Sequence, residues 1–172
     1  VTKILLETKK KLDSDIKNKK EAIDKEIENE VAKAQKEILD LKKNSINSYQ
    51  WQGKDEDLLE FYNQTISEYK LIASETSLDQ FRAVFSSVPI KDISPIKWRK
   101  DNASELIYFV SKLVESNNIK GNKRLDYQKM KNCFVKPDGT KFTEAFKSLK
   151  QNIEINLAED KRTKIDELIK AF

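Results

Sequence analysis

Of the residues that usually perform chemistry, histidine is absent from all 172 positions. This removes Ser-His and Cys-His nucleophile pairs and the usual zinc sites. The three glycines, Gly53, Gly121 and Gly139, are nowhere spaced as Gly-x-Gly, so the common phosphate-cradling loops are missing too. Carboxylate pairs occur at Glu159-Asp160 and Asp166-Glu167. Their surroundings are charged and helical, without apolar neighbours to hold one acid protonated, so they read as solvated helix charges. Asp138 in Pro137-Asp138-Gly139 is a turn former, since no loop carboxylates follow it at the alternating positions of a calcium site. The single cysteine, Cys133, lies in Met-Lys-Asn-Cys-Phe-Val and reads as a core filler. The expectation is a protein that is not an enzyme, with no cofactor and no metal.

The remaining chemistry is charge. The chain carries a net +4, unevenly spread. Residues 1–50 hold twelve Lys and ten acids; residues 51–76 hold two Lys and six acids. Residues 117–150 hold nine basic residues against three acids. A local excess of that kind suits phosphate binding, although a solvated Lys-rich surface gives the same count. Three predicted helices, 102–116, 125–134 and 142–152, lie in or beside this stretch with short connections, an order compatible with a helix-turn-helix. On the third, Thr143, Lys147, Lys150 and Gln151 face away from Phe142, Phe146 and Leu149 and could reach phosphates and base edges. Lys129, Lys131, Lys136 and Lys141 could clamp the backbone of double-stranded DNA.

These candidates must be positioned by the surrounding elements. The first 52 residues contain no glycine and no proline and are rich in Lys, Glu, Ile, Leu and Ala. Such a run favours helix, because unbranched side chains lose little rotamer freedom there. Apolar residues recur at Val1, Leu5, Leu12, Ile16, Ile23, Ile27, Ala34, Ile38 and Tyr49, in alternating steps of four and seven and a last step of eleven. This is an eleven-residue repeat, about 3.67 residues per turn, which gives a nearly straight helix with a slight right-handed supercoil. The stripe is too narrow for a globular core face. It suits a two-helix contact, either between copies or with another protein. Leu5, Leu12, Ile16, Ile23, Ile27, Ala34 and Ile38 are therefore the candidate oligomerisation residues.

All fifteen aromatic residues fall between Tyr49 and Phe172, so the core belongs to the later part of the chain. The pattern predicts a helix over 54–74, a short helix capped by Ser77, a brief strand at Ile96-Lys97-Trp98, a turn at 137–140 and a last helix over 158–172. Asn102 with Glu105 has capping-box spacing. Exposed hydrophobic residues on the 106–114 helix, in a face broader than one neighbour needs, would favour a docking role. The predicted fold is all-α. A long coiled-coil-like helix at 1–52 precedes a second helix and connector at 53–76. A compact helical domain, helix-turn-helix or winged-helix-like, occupies 77–172.

Pro95-Ile96-Lys97-Trp98, Glu105-Leu106-Ile107-Tyr108, the Asn118-Ile119-Lys120-Gly121 turn, the 142–153 helix and the later Lys161-Arg162-Thr163-Lys164 carry a resemblance. Over about 77–172 the chain resembles RteC-type proteins of Bacteroidetes conjugative transposons and related uncharacterised Bacteroidetes proteins. The resemblance implies a helical, winged-helix-like DNA-binding region in a regulator of a mobile element. Lys161-Arg162 is the nearest match to that family's Arg-Lys pair, and the long helix has no counterpart in it.

The leading expectation is thus a DNA-binding, mobile-element-associated regulator with a helical stem that forms a homo-oligomer or meets a partner helix. The alternative is a protein-interaction module, or a subunit of a larger assembly, with the long helix as spacer. No signal segment, no lipidation motif and no run of eighteen apolar residues is present, so a cytoplasmic protein without a membrane partner is expected. The first residue is Val1 rather than Met, which leaves the completeness of the N-terminus open.

Overall fold

The computed structural model describes residues 2–44, 46–121 and 125–172, and of the first helix the side chains of Lys9 and residues 11–41. The chain divides into two units, Val1–Lys43 and Asn44–Phe172. Among the described residues it is mostly helical, with one two-stranded sheet. No helix among them is long and apolar enough to cross a membrane.

The first unit is one helix, α1 (Thr2–Asn44). The run of helix formers explains its length, and Lys17 meets Glu21 at 4.0 Å along its surface. It stops at Asn44 rather than near residue 52. The Ser48 hydroxyl donates to the Ala83 carbonyl at 2.9 Å and accepts from the Val88 N–H at 3.1 Å, which ties the chain to the second unit at this point. Residues from 46 onward find other backbone partners: Asn47 and Gln50 bridge antiparallel to Pro89 and Ser86, and Trp51 bridges to Ile119. Tyr49 is therefore not the last member of the apolar stripe. It is buried in the second unit, with its ring centroid 6.1 Å from Phe85 and 6.3 Å from Phe134.

The second unit begins with α2 (Asp55–Asn63), where the Lys54 N–H donates to the Asp57 carboxylate at 3.0 Å. A π-helical turn (Gln64–Glu68) follows, and the helix predicted to reach 74 ends there. The Thr65 hydroxyl donates back to the Tyr62 carbonyl, an interaction that competes with regular helix. Lys70 then takes φ +53°, and Leu71 and Ile72 are buried in extended chain, Ile72 bridging to Trp98. Ser77 caps α3 (Leu78–Val84), accepting from the Gln80 N–H at 3.1 Å. The predicted strand is present as β1 (Ile96–Lys97), and it pairs in parallel with β2 (Phe134–Val135), Ile96 opposite Phe134. A wing is an antiparallel hairpin; the strands here are parallel, and no hairpin of strands lies among the described residues.

Helix α4 (Ala103–Glu115) runs through the core, with Leu106, Ile107, Phe109, Val110 and Leu113 all within 1% of full burial. Its broad apolar face is occupied within the unit, chiefly by neighbours on α6 (Phe146–Gln151) and α8 (Glu159–Lys170), and so it is not a docking face. Asn102 caps α4 as its type suggests, accepting from the Glu105 N–H. Glu105 does not complete a capping box; its carboxylate accepts from the buried Trp98 indole N–H at 3.2 Å. The Tyr108 hydroxyl donates to Asp166, tying α4 to α8. Asp126 caps α5 (Tyr127–Cys133), and α7 (Ile153–Asn156) is a single turn after α6. In the turn at 137–140, Gly139 takes φ +84° and Asp138 accepts from the Thr140 N–H, as the sequence suggests.

The third predicted helix begins four residues late, at Phe146 instead of 142. Phe142 is buried as expected, but from non-helical chain. Two interactions hold that segment. The Glu144 carbonyl accepts from Lys131 Nζ at 2.7 Å, and the Glu144 carboxylate meets Lys136 Nζ at 2.9 Å. Thr143 consequently lies outside a helix.

Candidate functional site

Two surfaces answer to the sequence expectations, one in each unit. The first is the face of α1. Leu12, Ile16, Ile23, Ile27, Val31, Ile38 and Leu41 are between 49% and 68% exposed, and Ala34 beside them is exposed too. At about 100° per residue these eight fall in an arc of roughly 100°. Leu39 is exposed on the opposite side. The predicted oligomerisation residues are thus brought onto one face, apart from Leu5, whose side chain lies outside the described residues. Val31 and Leu41 belong to the stripe as well. Step counting passes over them, whereas projection around the helix finds them. Lys9, Asp13, Lys20 and Glu30 project onto the same arc and interrupt it, all four exposed. A stripe this apolar and this exposed can pack against another helix.

The second surface is the basic stretch. Its eight candidates are not assembled into one array. Lys129 lies half-buried, its Nζ 3.4 Å from the Ser48 carbonyl and over the Tyr49 ring. Lys131 stands over the Phe146 ring and donates to Glu144. Lys136 is only 18% exposed and sits between Asp101 at 3.1 Å and Glu144 at 2.9 Å. Those two carboxylates, Glu144 foremost, raise the Lys136 pKa. Burial works against the Glu144 carboxylate, but its hydrogen bonds from backbone and from Lys136 prevail and lower its pKa. Three of the four expected clamp lysines therefore bond to groups inside the fold. Lys141 is exposed and donates to Asn132. Thr143, Lys147 and Gln151 are exposed and Lys150 is half-buried. No sequence signal marks the Lys136 network, because Asp101 is distant along the chain.

Burial pushes the Cys133 thiol up to about 12, so it stays protonated and unreactive. Burial also raises Tyr49, whose hydroxyl has no partner among the described residues. Among the described residues no group of three metal-ligating side chains occurs. No protein-family model, no curated protein and no solved structure matches this chain.

Proposed function

We infer that this is a non-enzymatic association protein, in which α1 joins two copies of the chain and the aromatic unit is what the pair carries. The observation behind this reading is the α1 face, where eight apolar side chains share one arc and every one is exposed. Contiguous exposed apolar surface marks an interaction site, and an a/e-type stripe at helical spacing fits a second helix. Sedimentation equilibrium of the full chain tests it. The expected result is a dimer at micromolar concentration, and a loss of at least about a hundredfold in affinity for Ile16→Asp with Ile27→Asp, because each carboxylate would be buried without a partner. A chain that stays monomeric on the order of 100 μM would rule the reading out.

A second reading, DNA binding, draws support from the excess of six positive charges over residues 117–150, of which Lys141 and Lys147 are exposed. In this reading the protein is the mobile-element regulator that the resemblance implies. Electrophoretic shift of duplex DNA at low salt is the measurement. Replacing Lys147 and Lys150 by Ala should weaken binding across sequences and reduce the salt slope by about 1 for each phosphate no longer neutralised. Absence of any shift would dismiss it.

A further inference from the structure

A cleft opens where the end of α4, the turn after it and the start of α5 meet. Its volume is about 660 Å³, within the range of about 300–1,000 Å³ usual for small-molecule sites. Val110, Val114, Leu125 and Tyr127 line it with apolar surface, and Tyr49 is part of its wall. A second cleft of about 390 Å³ shares Val114 and Leu125 and adds Ser111 and Lys150. We propose that the larger cleft binds a small organic anion, with its apolar body against Val110, Val114 and Leu125 and its carboxylate on Lys129 beside Tyr49. The lining residues named here all belong to the second unit, so the proposal stands apart from association through α1.

The walls are fixed by the chain around them. Asn117 takes φ +60° just beyond α4. The Lys120 N–H donates to the Gln50 carbonyl at 2.8 Å and Trp51 bridges to Ile119, which together hold the turn. Gly121 lies directly on α4, where a Cβ would stand 3.2 Å from Val114 Cγ1. The Tyr49 N–H donates to the Val84 carbonyl at 2.9 Å, and its ring packs on Phe85 and Phe134. Phenylalanine would satisfy that packing equally, so the hydroxyl has another reason. Among the described residues of both clefts, it is the one buried side-chain polar group without a hydrogen-bond partner. Leaving a buried hydroxyl unpaired is unfavourable, and a ligand oxygen at this wall would supply the acceptor.

Charge selects the sign of the ligand. Lys120 and Lys129 line the larger cleft and Lys150 the smaller, and none of them forms an ion pair with a described residue. Lys129 Nζ directs one donor at the Ser48 carbonyl, 3.4 Å away, and stands 5.5 Å from the Tyr49 ring centroid. An ammonium group has two further donors to give. The acids of the clefts are already engaged. Asp126 accepts from the Lys129 N–H at 2.9 Å as the cap of α5, and Glu115 pairs with Lys112 at 2.9 Å. An organic cation would find those carboxylates occupied and the lysines repelling it. A carboxylate would receive charge-assisted hydrogen bonds. The apolar walls favour an anion with an apolar body over an inorganic ion.

Isothermal titration calorimetry of the full chain with sodium decanoate tests the proposal. Saturable binding at one site per chain is expected, with decanol at least about tenfold weaker. Lys129→Met keeps the stem over the Tyr49 ring and removes the charge, and should weaken decanoate about tenfold or more. Tyr49→Phe should weaken it severalfold. Val114→Phe fills the cleft and should abolish binding; Val114 is only half-buried, so the urea midpoint of the second unit should hold. Ile16→Asp with Ile27→Asp should bind decanoate as the parent chain does, whether or not the chain associates. The absence of saturable binding at about 1 mM would overturn the proposal, as would decanol binding as tightly as decanoate. So would binding that is lost in the α1 variant and kept in Val114→Phe. A chain that binds decanoate yet stays monomeric would remove the association reading alone.

Discussion

Helices α1 and α4 use the same apolar residue types to opposite ends. Ten of the thirteen residues of α4 are buried, including Glu105 and two serines. Along α1 every side chain described, from Lys9 and residues 11–41, is exposed. The difference lies in width. The apolar residues of α4 surround most of the helix, so a core that includes Phe61 and Trp98, both packed on Phe109 of α4, can close over it. The stripe of α1 covers roughly 100°, enough for one helical neighbour and no more. An apolar pattern therefore tells how much surface a helix can bury, and its width tells from how many sides. In α4 the burial free energy is already realised. In α1 it is still available, on the order of 1 kcal/mol for each half-exposed Leu or Ile, and it is reduced by the entropy cost of association.

The largest test of this contrast compares Phe61→Ala with Ile27→Ala. Phe61 is fully buried, and its ring lies parallel to Phe109 at 2° with centroids 5.9 Å apart. Removing it should cost about 3–5 kcal/mol, a large share of a domain's stability of roughly 5–15 kcal/mol. Both tryptophans belong to the second unit and Trp51 stacks on Phe61, so fluorescence in a urea titration reports that unit alone. The midpoint should fall sharply for Phe61→Ala. It should stay put for Ile27→Ala, whose effect should appear only as weaker association. Equal shifts in the two midpoints would break the comparison.

Much of this architecture is legible in the residues. The absence of breakers before Gly53 marks α1, Ser77, Asn102 and the Pro-Asp-Gly turn mark local boundaries, and the aromatic distribution places the core. What is not legible depends on long-range partners. Ile66, Tyr69 and Ile72 recur at steps of three, a helical spacing, yet Leu71 and Ile72 are buried as extended chain because residues 97 and 99 offer backbone partners there. Tyr49 continues the eleven-residue step perfectly well, and tertiary packing against Phe85 and Phe134 takes it out of the helix. The basic stretch misleads for the same reason. Its lysines count as free charges until Asp101, Glu144 and the Ser48 carbonyl are brought to them by the fold.

A smaller effect sharpens the contrast from the polar side. Glu105 is 4% exposed and Trp98 fully buried, and the carboxylate accepts the indole N–H. Glu105→Leu would leave that N–H without a partner and should cost about 1–3 kcal/mol in the same urea titration. Glu105→Gln keeps an acceptor in place and removes a buried charge, so it should be neutral or stabilising. On α1 the matching change, Glu30→Gln, faces water in the single chain and should leave the midpoint unchanged within about 0.5 kcal/mol. If Glu105→Leu proved as silent as Glu30→Gln, the Trp98–Glu105 bond would have no part in holding α4 to the strand that precedes it. The distinction between a core that binds its polar groups and a helix that leaves them to solvent would then rest on the apolar residues alone.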